Sequence, residues 1–86
     1  MLPLGSKLKT IKTMKKLFIH TSENGGHVFF AKDLSVTSSL TFCKIDPNVE
    51  LSFLLDLLKR EIVYSFEPTE TYIRVVFRTK YVDEIL

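Results

Sequence analysis

The sequence predicts an α+β domain: a small antiparallel sheet, in the order β-hairpin, strand, helix, β-hairpin, with one helix packed on a face. Three observations carry this reading. Asn24-Gly25 stands between two apolar, β-prone runs. Asp46-Pro47 opens a stretch whose apolar residues recur at helical spacing. Residues 72–79 alternate between two distinct rows of side chains.

The first hairpin joins Leu17–Glu23 to Gly26–Lys32. Asn-Gly favours a type I′ turn, which needs positive φ at both central residues. A two-residue loop pairs Ser22 with His27, His20 with Phe29 and Ile19 with Phe30. Phe18, His20, Ser22, His27 and Phe29 then share one face, and Ile19, Thr21, Val28 and Phe30 the other. Gly26 offers an alternative register with a longer loop. A polar stretch, Asp33–Ser39, reads as a turn, and Leu40–Ile45 as a third strand.

The helix is expected over 47–62. Asp46 suits the N-cap and Pro47 the first helical position, where its missing N–H costs nothing. At 100° per residue, Leu51, Leu54, Leu55, Leu58 and Ile62 fall within an arc of about 100°, the expected core face. Asp56 and Arg60 stand at ion-pair spacing. Val49, Phe53 and Leu57 form a second stripe, which one sheet cannot cover together with the first. It is therefore expected to meet either another part of this chain, such as the N-terminal segment, or another protein, and for so short a chain a partner, in a homodimer or otherwise, is favoured.

In the second hairpin, 62–67 and 72–79 flank Pro68–Thr71. Ile73, Val75, Phe77 and Thr79 face the core. Tyr72, Arg74, Val76 and Arg78 face outward, with Lys80 just beyond, and Tyr81–Leu86 is expected to add a short helical turn.

Length and composition narrow the class. A chain of 86 residues makes one domain, and a domain of this size buries only about 60% of its unfolded surface. Cys43 is the only cysteine, so no disulfide closes within the chain. With no signal-peptide pattern, this points to a reducing, cytoplasmic setting. No apolar run approaches the length of a membrane span, and no membrane partner is expected.

Charge is unevenly distributed. Residues 1–16 carry five lysines (Lys7, Lys9, Lys12, Lys15 and Lys16) and no acid, whereas the rest holds seven basic and all ten acidic residues. A basic, flexible leader is expected over 1–13, ahead of a domain at 14–86. That leader reads as a phosphate-binding arm, as an extension before a start at Met14, or as an added tail.

The residues argue against catalysis. His20 and His27, on one face of the hairpin as expected above, would need two more ligands to hold zinc, and no Cys-x-x-Cys or His-x-x-x-His spacing supplies them. Cys43 lies between apolar neighbours, a setting that raises a thiol's pKa and leaves it unreactive. Asn24-Gly25-Gly26 lacks the Lys-Ser/Thr of a phosphate-binding loop. No cofactor and no metal are expected.

Two binding readings remain. The first is a non-enzymatic protein-binding module, a homodimer, inhibitor or adaptor, using Val49, Phe53 and Leu57. The alternative is single-stranded nucleic-acid binding by Lys7, Lys9, Lys12, Lys15 and Lys16 with Tyr72, Arg74, Arg78 and Lys80, since strand surfaces that interleave cations with aromatics suit stacked bases and phosphates.

Overall fold

The computed structural model describes residues 14–22 and 24–85. Six strands form a single antiparallel sheet, and one helix packs on it. The elements are β1 (Lys15–Ser22), β2 (Gly25–Val36), β3 (Leu40–Ile45), α1 (Leu51–Lys59), β4 (Val63–Pro68), β5 (Ile73–Arg78) and β6 (Val82–Ile85). Across the sheet the order is β4-β5-β3-β2-β1-β6. The class is α+β in outline, but strand dominates and the domain is mostly β.

The sheet is curled, and its connectivity requires this. β5 and β6 lie four strand spacings apart, roughly 19 Å if the sheet were flat. A single 3₁₀ turn, Thr79–Tyr81, joins them, and four Cα steps span less than about 15 Å even when extended. The curl originates in β2, whose first half pairs with β1 and whose second half pairs with β3. Between the halves the register slips at Lys32/Ser35, and Asp33 takes φ 55°. A short polar side chain tolerates that left-handed conformation, and an extra residue there bends the strand. The stretch read as a turn from Asp33 is therefore strand as far as Val36, and the turn occupies 37–39.

The concave face holds the core. Leu17, Ile19, Phe29, Ala31, Cys43, Ile45, Ile73, Val75 and Phe77 line it, and Leu54 and Leu57 of α1 close it. Phe29 and Phe77, on strands either side of β3, bring their ring centroids to 5.5 Å. Thr41 is fully buried, and its hydroxyl is satisfied by Thr79 Oγ1 at 2.8 Å.

The first hairpin takes a different register from the two-residue Asn-Gly loop. Ser22 pairs with Gly25, His20 with Gly26, Ile19 with His27 and Leu17 with Phe29, with an irregularity between His20 and Ser22. No described glycine has positive φ, so Gly25 does not enter a type I′ turn. This register leaves no room for a side chain at Gly26, where an added Cβ would meet the Phe18 ring and lie 2.6 Å from the Ile19 carbonyl oxygen. The slip moves Phe29 and His27 onto the core face with Leu17 and Ile19. Val28 and Phe30 join Phe18 and His20 on the other.

α1 is shorter than expected and rotated about its axis. Asp46 Oδ1 accepts a bond from Asn48 N at 2.7 Å, so Asp46–Val49 forms a turn and the helix starts after Glu50. At its other end, Ile62 N donates to Leu57 O (2.9 Å) and Glu61 N to Leu58 O (3.0 Å), with Glu61 at φ 63°. This is a Schellman end with glutamate in the left-handed position. The expected ion pair forms, Arg60 Nε to Asp56 Oδ2 at 3.1 Å, and Arg60 also donates to Thr21 O at 2.6 Å, tying α1 to β1.

Burial of α1 cuts across the two stripes: Leu54 and Ile62 are buried as expected, but Leu57 of the second stripe joins them. Leu57 has no exposed surface, whereas Leu51, Leu55 and Leu58, expected in the core, are 45, 48 and 36% exposed. Six of the nine helical residues are large and apolar, so helical spacing alone does not select the buried side. The aromatic contacts select it: Phe53 stacks on Phe29 at 6.0 Å and 19°, and His27 lies 4.9 Å from Phe53.

The chain's end also differs from expectation. Tyr81 closes the 3₁₀ turn, and Val82–Ile85 is a strand, not a helical turn. β6 pairs with β1 through Ile19–Val82, Phe18–Asp83, Leu17–Glu84 and Lys16–Ile85.

Candidate nucleic-acid interface

The second hairpin positions the outward row as the alternation predicted. Ile73, Val75 and Phe77 are buried, and Arg74 and Arg78 stand on the convex side. The registers extend this row across the sheet. Arg78 is opposite Leu40, Val76 opposite Phe42 and Arg74 opposite Lys44. Lys44 is opposite Lys32, and Phe30 opposite Lys16. β4 adds Glu67 beside Arg74 and Ser65 beside Val76. A bulge between Val63 and Ser65 turns Tyr64 outward.

The resulting face interleaves rings and cations. Phe30, Phe42 and Tyr64 are 53, 41 and 53% exposed. Lys44 Nζ lies 4.4 Å from the Tyr72 ring centroid, the Arg78 guanidinium 5.2 Å from that of Tyr64, and Lys16 Nζ 5.9 Å from that of Phe30. Val76, 8% exposed, fills the middle. Acids also reach this face: Asp33, which shares a pocket with Phe42, Lys44 and Arg74, pairs with Lys44 at 3.0 Å, Glu67 with Arg74 at 3.7 Å and Asp83 with His20 at 2.5 Å.

Of the residues expected to contact nucleic acid, Tyr72, Arg74 and Arg78 meet on this surface, with Lys80 beside it in the 3₁₀ turn. Lys16 joins them from β1. Lys15 sits in the Ala31 row of the other face and pairs with Glu84 at 3.6 Å. Lys7, Lys9 and Lys12 lie outside the described residues. Sequence reasoning missed Phe30, Phe42, Tyr64, Lys32 and Lys44. For β3 the signal was available: Thr41, Cys43 and Ile45 alternate with Leu40, Phe42 and Lys44, and the first set is the smaller and more apolar.

The expected protein interface is placed differently. Leu57 is in the core, and Phe53 and Val49 are half-buried against it. The surface that α1 offers is Leu51, Leu55 and Leu58.

The histidines separate. His20 pairs with Asp83 on the convex side, whereas His27 packs on Phe29 and Phe53 on the concave side. Among the described residues, no three His, Cys, Asp or Glu side chains cluster as metal ligands. Burial pushes the Cys43 thiol up to about 12, leaving it protonated at neutral pH. Among the described residues, no helix is long and apolar enough to cross a membrane.

Compared with protein-family models, with curated proteins and with solved structures, the chain finds no match.

Proposed function

We propose that the chain is a non-enzymatic binding module whose convex sheet face takes single-stranded nucleic acid. The observation that carries this is the interleaving of exposed Phe30, Phe42 and Tyr64 with Lys16, Lys32, Lys44, Arg74 and Arg78 on one surface. Unpaired bases stack on such rings whatever their identity, and the flanking cations take the phosphates. A duplex hides its base faces and gains nothing from rings of this kind.

The test is fluorescence anisotropy with labelled single-stranded oligonucleotides at several salt concentrations. Stacking contributes about 1–3 kcal/mol per base, so Phe30→Ala and Phe42→Ala should each weaken binding by roughly 5- to 150-fold. Each neutralised phosphate adds about 0.7 to the salt slope for single strands. Deleting residues 1–13 removes Lys7, Lys9 and Lys12 and should lower that slope by about 2 if the leader engages the strand. No measurable binding by the full chain at low salt overturns the reading.

A second reading is favoured by the stripe of Leu51, Leu55 and Leu58. Large apolar groups in a row on so small a domain suit a protein interface, in a homodimer or with another protein. Light scattering at rising concentration separates the two: self-association that Leu55→Lys abolishes supports it, and a monomer throughout removes the homodimer.

A further inference from the structure

We infer that Ser38, Ser39, Arg78 and Lys80 form a pocket for a phosphate monoester, carried by the end of a strand lying on the convex face; this rests on the nucleic-acid reading above. These four residues line a cavity of about 300 Å³ where the β2–β3 turn meets the end of β5. Two hydroxyl-bearing and two cationic residues line it, with no acid among them. That donor set matches a terminal phosphate, which carries between about one and a half and two negative charges and three acceptor oxygens. An internal phosphodiester carries one charge, and its chain would have to leave the pocket in two directions.

The site is built on a rigid support. Thr37 Oγ1 donates to Leu40 O (2.7 Å) and accepts from Leu40 N (3.0 Å), while Thr37 N donates to Leu40 O (2.9 Å). These bonds lock the turn that carries the two serines. Thr79 then fastens the turn to β5, its N donating to Ser39 O (3.0 Å) and its hydroxyl to Thr37 O (2.9 Å). The backbone of the two serines is thereby held beside the residues that flank Thr79, namely Arg78 and Lys80.

Nε of Arg78 is buried with no hydrogen-bond partner among the described residues. Because Nε is closed to solvent, an anion in the pocket would be met by the outer nitrogens of the Arg78 guanidinium. Arg78 also joins the pocket to the face, because its guanidinium lies against Tyr64.

Three versions of one short oligonucleotide test this by anisotropy: 5′-phosphorylated, 3′-phosphorylated and unphosphorylated. One phosphorylated form should bind about tenfold more tightly than the unphosphorylated strand. Ser38→Ala/Ser39→Ala, which alters only exposed side chains, should erase that gain, while Phe42→Ala should weaken all three strands alike. Equal affinities for the three strands, or a gain that survives the double serine substitution, overturn the pocket. If no strand binds, the proposed function fails separately, and inorganic phosphate decides the pocket. Saturable amide shifts at Ser38, Ser39 and Lys80 would retain it as a site for free phosphate, and their absence would remove it.

Discussion

The orientation of α1 decides which apolar surface this domain buries and which it presents, and two substitutions measure it. Leu57→Ala removes a side chain with no exposed surface, packed between α1 and the sheet. Leu→Ala at fully buried sites costs about 2.7–5 kcal/mol, the spread reflecting how far neighbours relax into the space. With the site closed by the sheet on one side and by its own helix on the other, about 3–4 kcal/mol is expected. Leu55, 48% exposed, keeps much of its contact with water in the native state. Leu55→Ala therefore forfeits only part of the transfer term and slightly improves helix propensity, for a net cost of about 1 kcal/mol or less.

Against a total stability of about 4–13 kcal/mol for 86 residues, the first change is severe and the second is not. Urea unfolding followed by far-UV circular dichroism reads both. The midpoint should fall markedly for Leu57→Ala, with unchanged slope, and shift little for Leu55→Ala. The opposite ranking would refute the orientation, return Leu55 to the core and restore the Val49, Phe53 and Leu57 stripe as the exposed one.

Two further outcomes follow from the backbone and the thiol. Glu61 holds φ 63° at the end of α1, a conformation that costs a side-chain-bearing residue about 1–2 kcal/mol; Glu61→Gly should raise stability by about 0.5–1 kcal/mol after glycine's extra unfolded-state entropy is subtracted, as read by the thermal midpoint. Cys43, raised from 9.0 to about 12 by burial, should resist a thiol reagent at pH 8 in the native state and react on unfolding. Because its proton is held more tightly in the folded state, its contribution to stability is full below pH 9 and is lost between 9 and 12, by about 1.4 kcal/mol per unit. Denaturation curves across that window should fall more steeply for the wild type than for Cys43→Ala, and identical slopes would place the thiol in a more polar setting.

How far the sequence discloses this fold depends on how asymmetric each element is. β5 was legible because one row is wholly apolar and the other carries two arginines, so a slip of one residue would bury charge. The first hairpin offers no such penalty: aromatics occur on both of its faces, and the register adopted is one in which only glycine fits at position 26. α1 was legible as a helix but not in its rotation, since large apolar groups cover most of its circumference. β6 was hidden because its pairing is non-local and its short, acidic sequence suits an edge strand, a position that tolerates charge. The candidate site divides the same way. Arg74 and Arg78 were visible within their own strand, whereas Phe30 and Phe42 became part of the surface only once the neighbouring registers were known.

One residue links these parts. Core-facing positions in β2 are odd-numbered before the bulge, at Phe29 and Ala31, and even-numbered after it, at Leu34. The extra residue at Asp33 therefore reverses the alternation and bends the strand, so that its halves serve β1 on one side and β3 on the other. The bend also brings Asp33 to 3.0 Å from Lys44 across the strand pair. With the sheet curled in this way, a three-residue turn suffices to carry the chain from β5 to β6. Thr79, within that turn, reaches Ser39 and Thr37. The curvature that closes the core thus sets Arg78 and Lys80 beside Ser38 and Ser39, and it leaves Phe30, Phe42 and Tyr64 outward on the convex side.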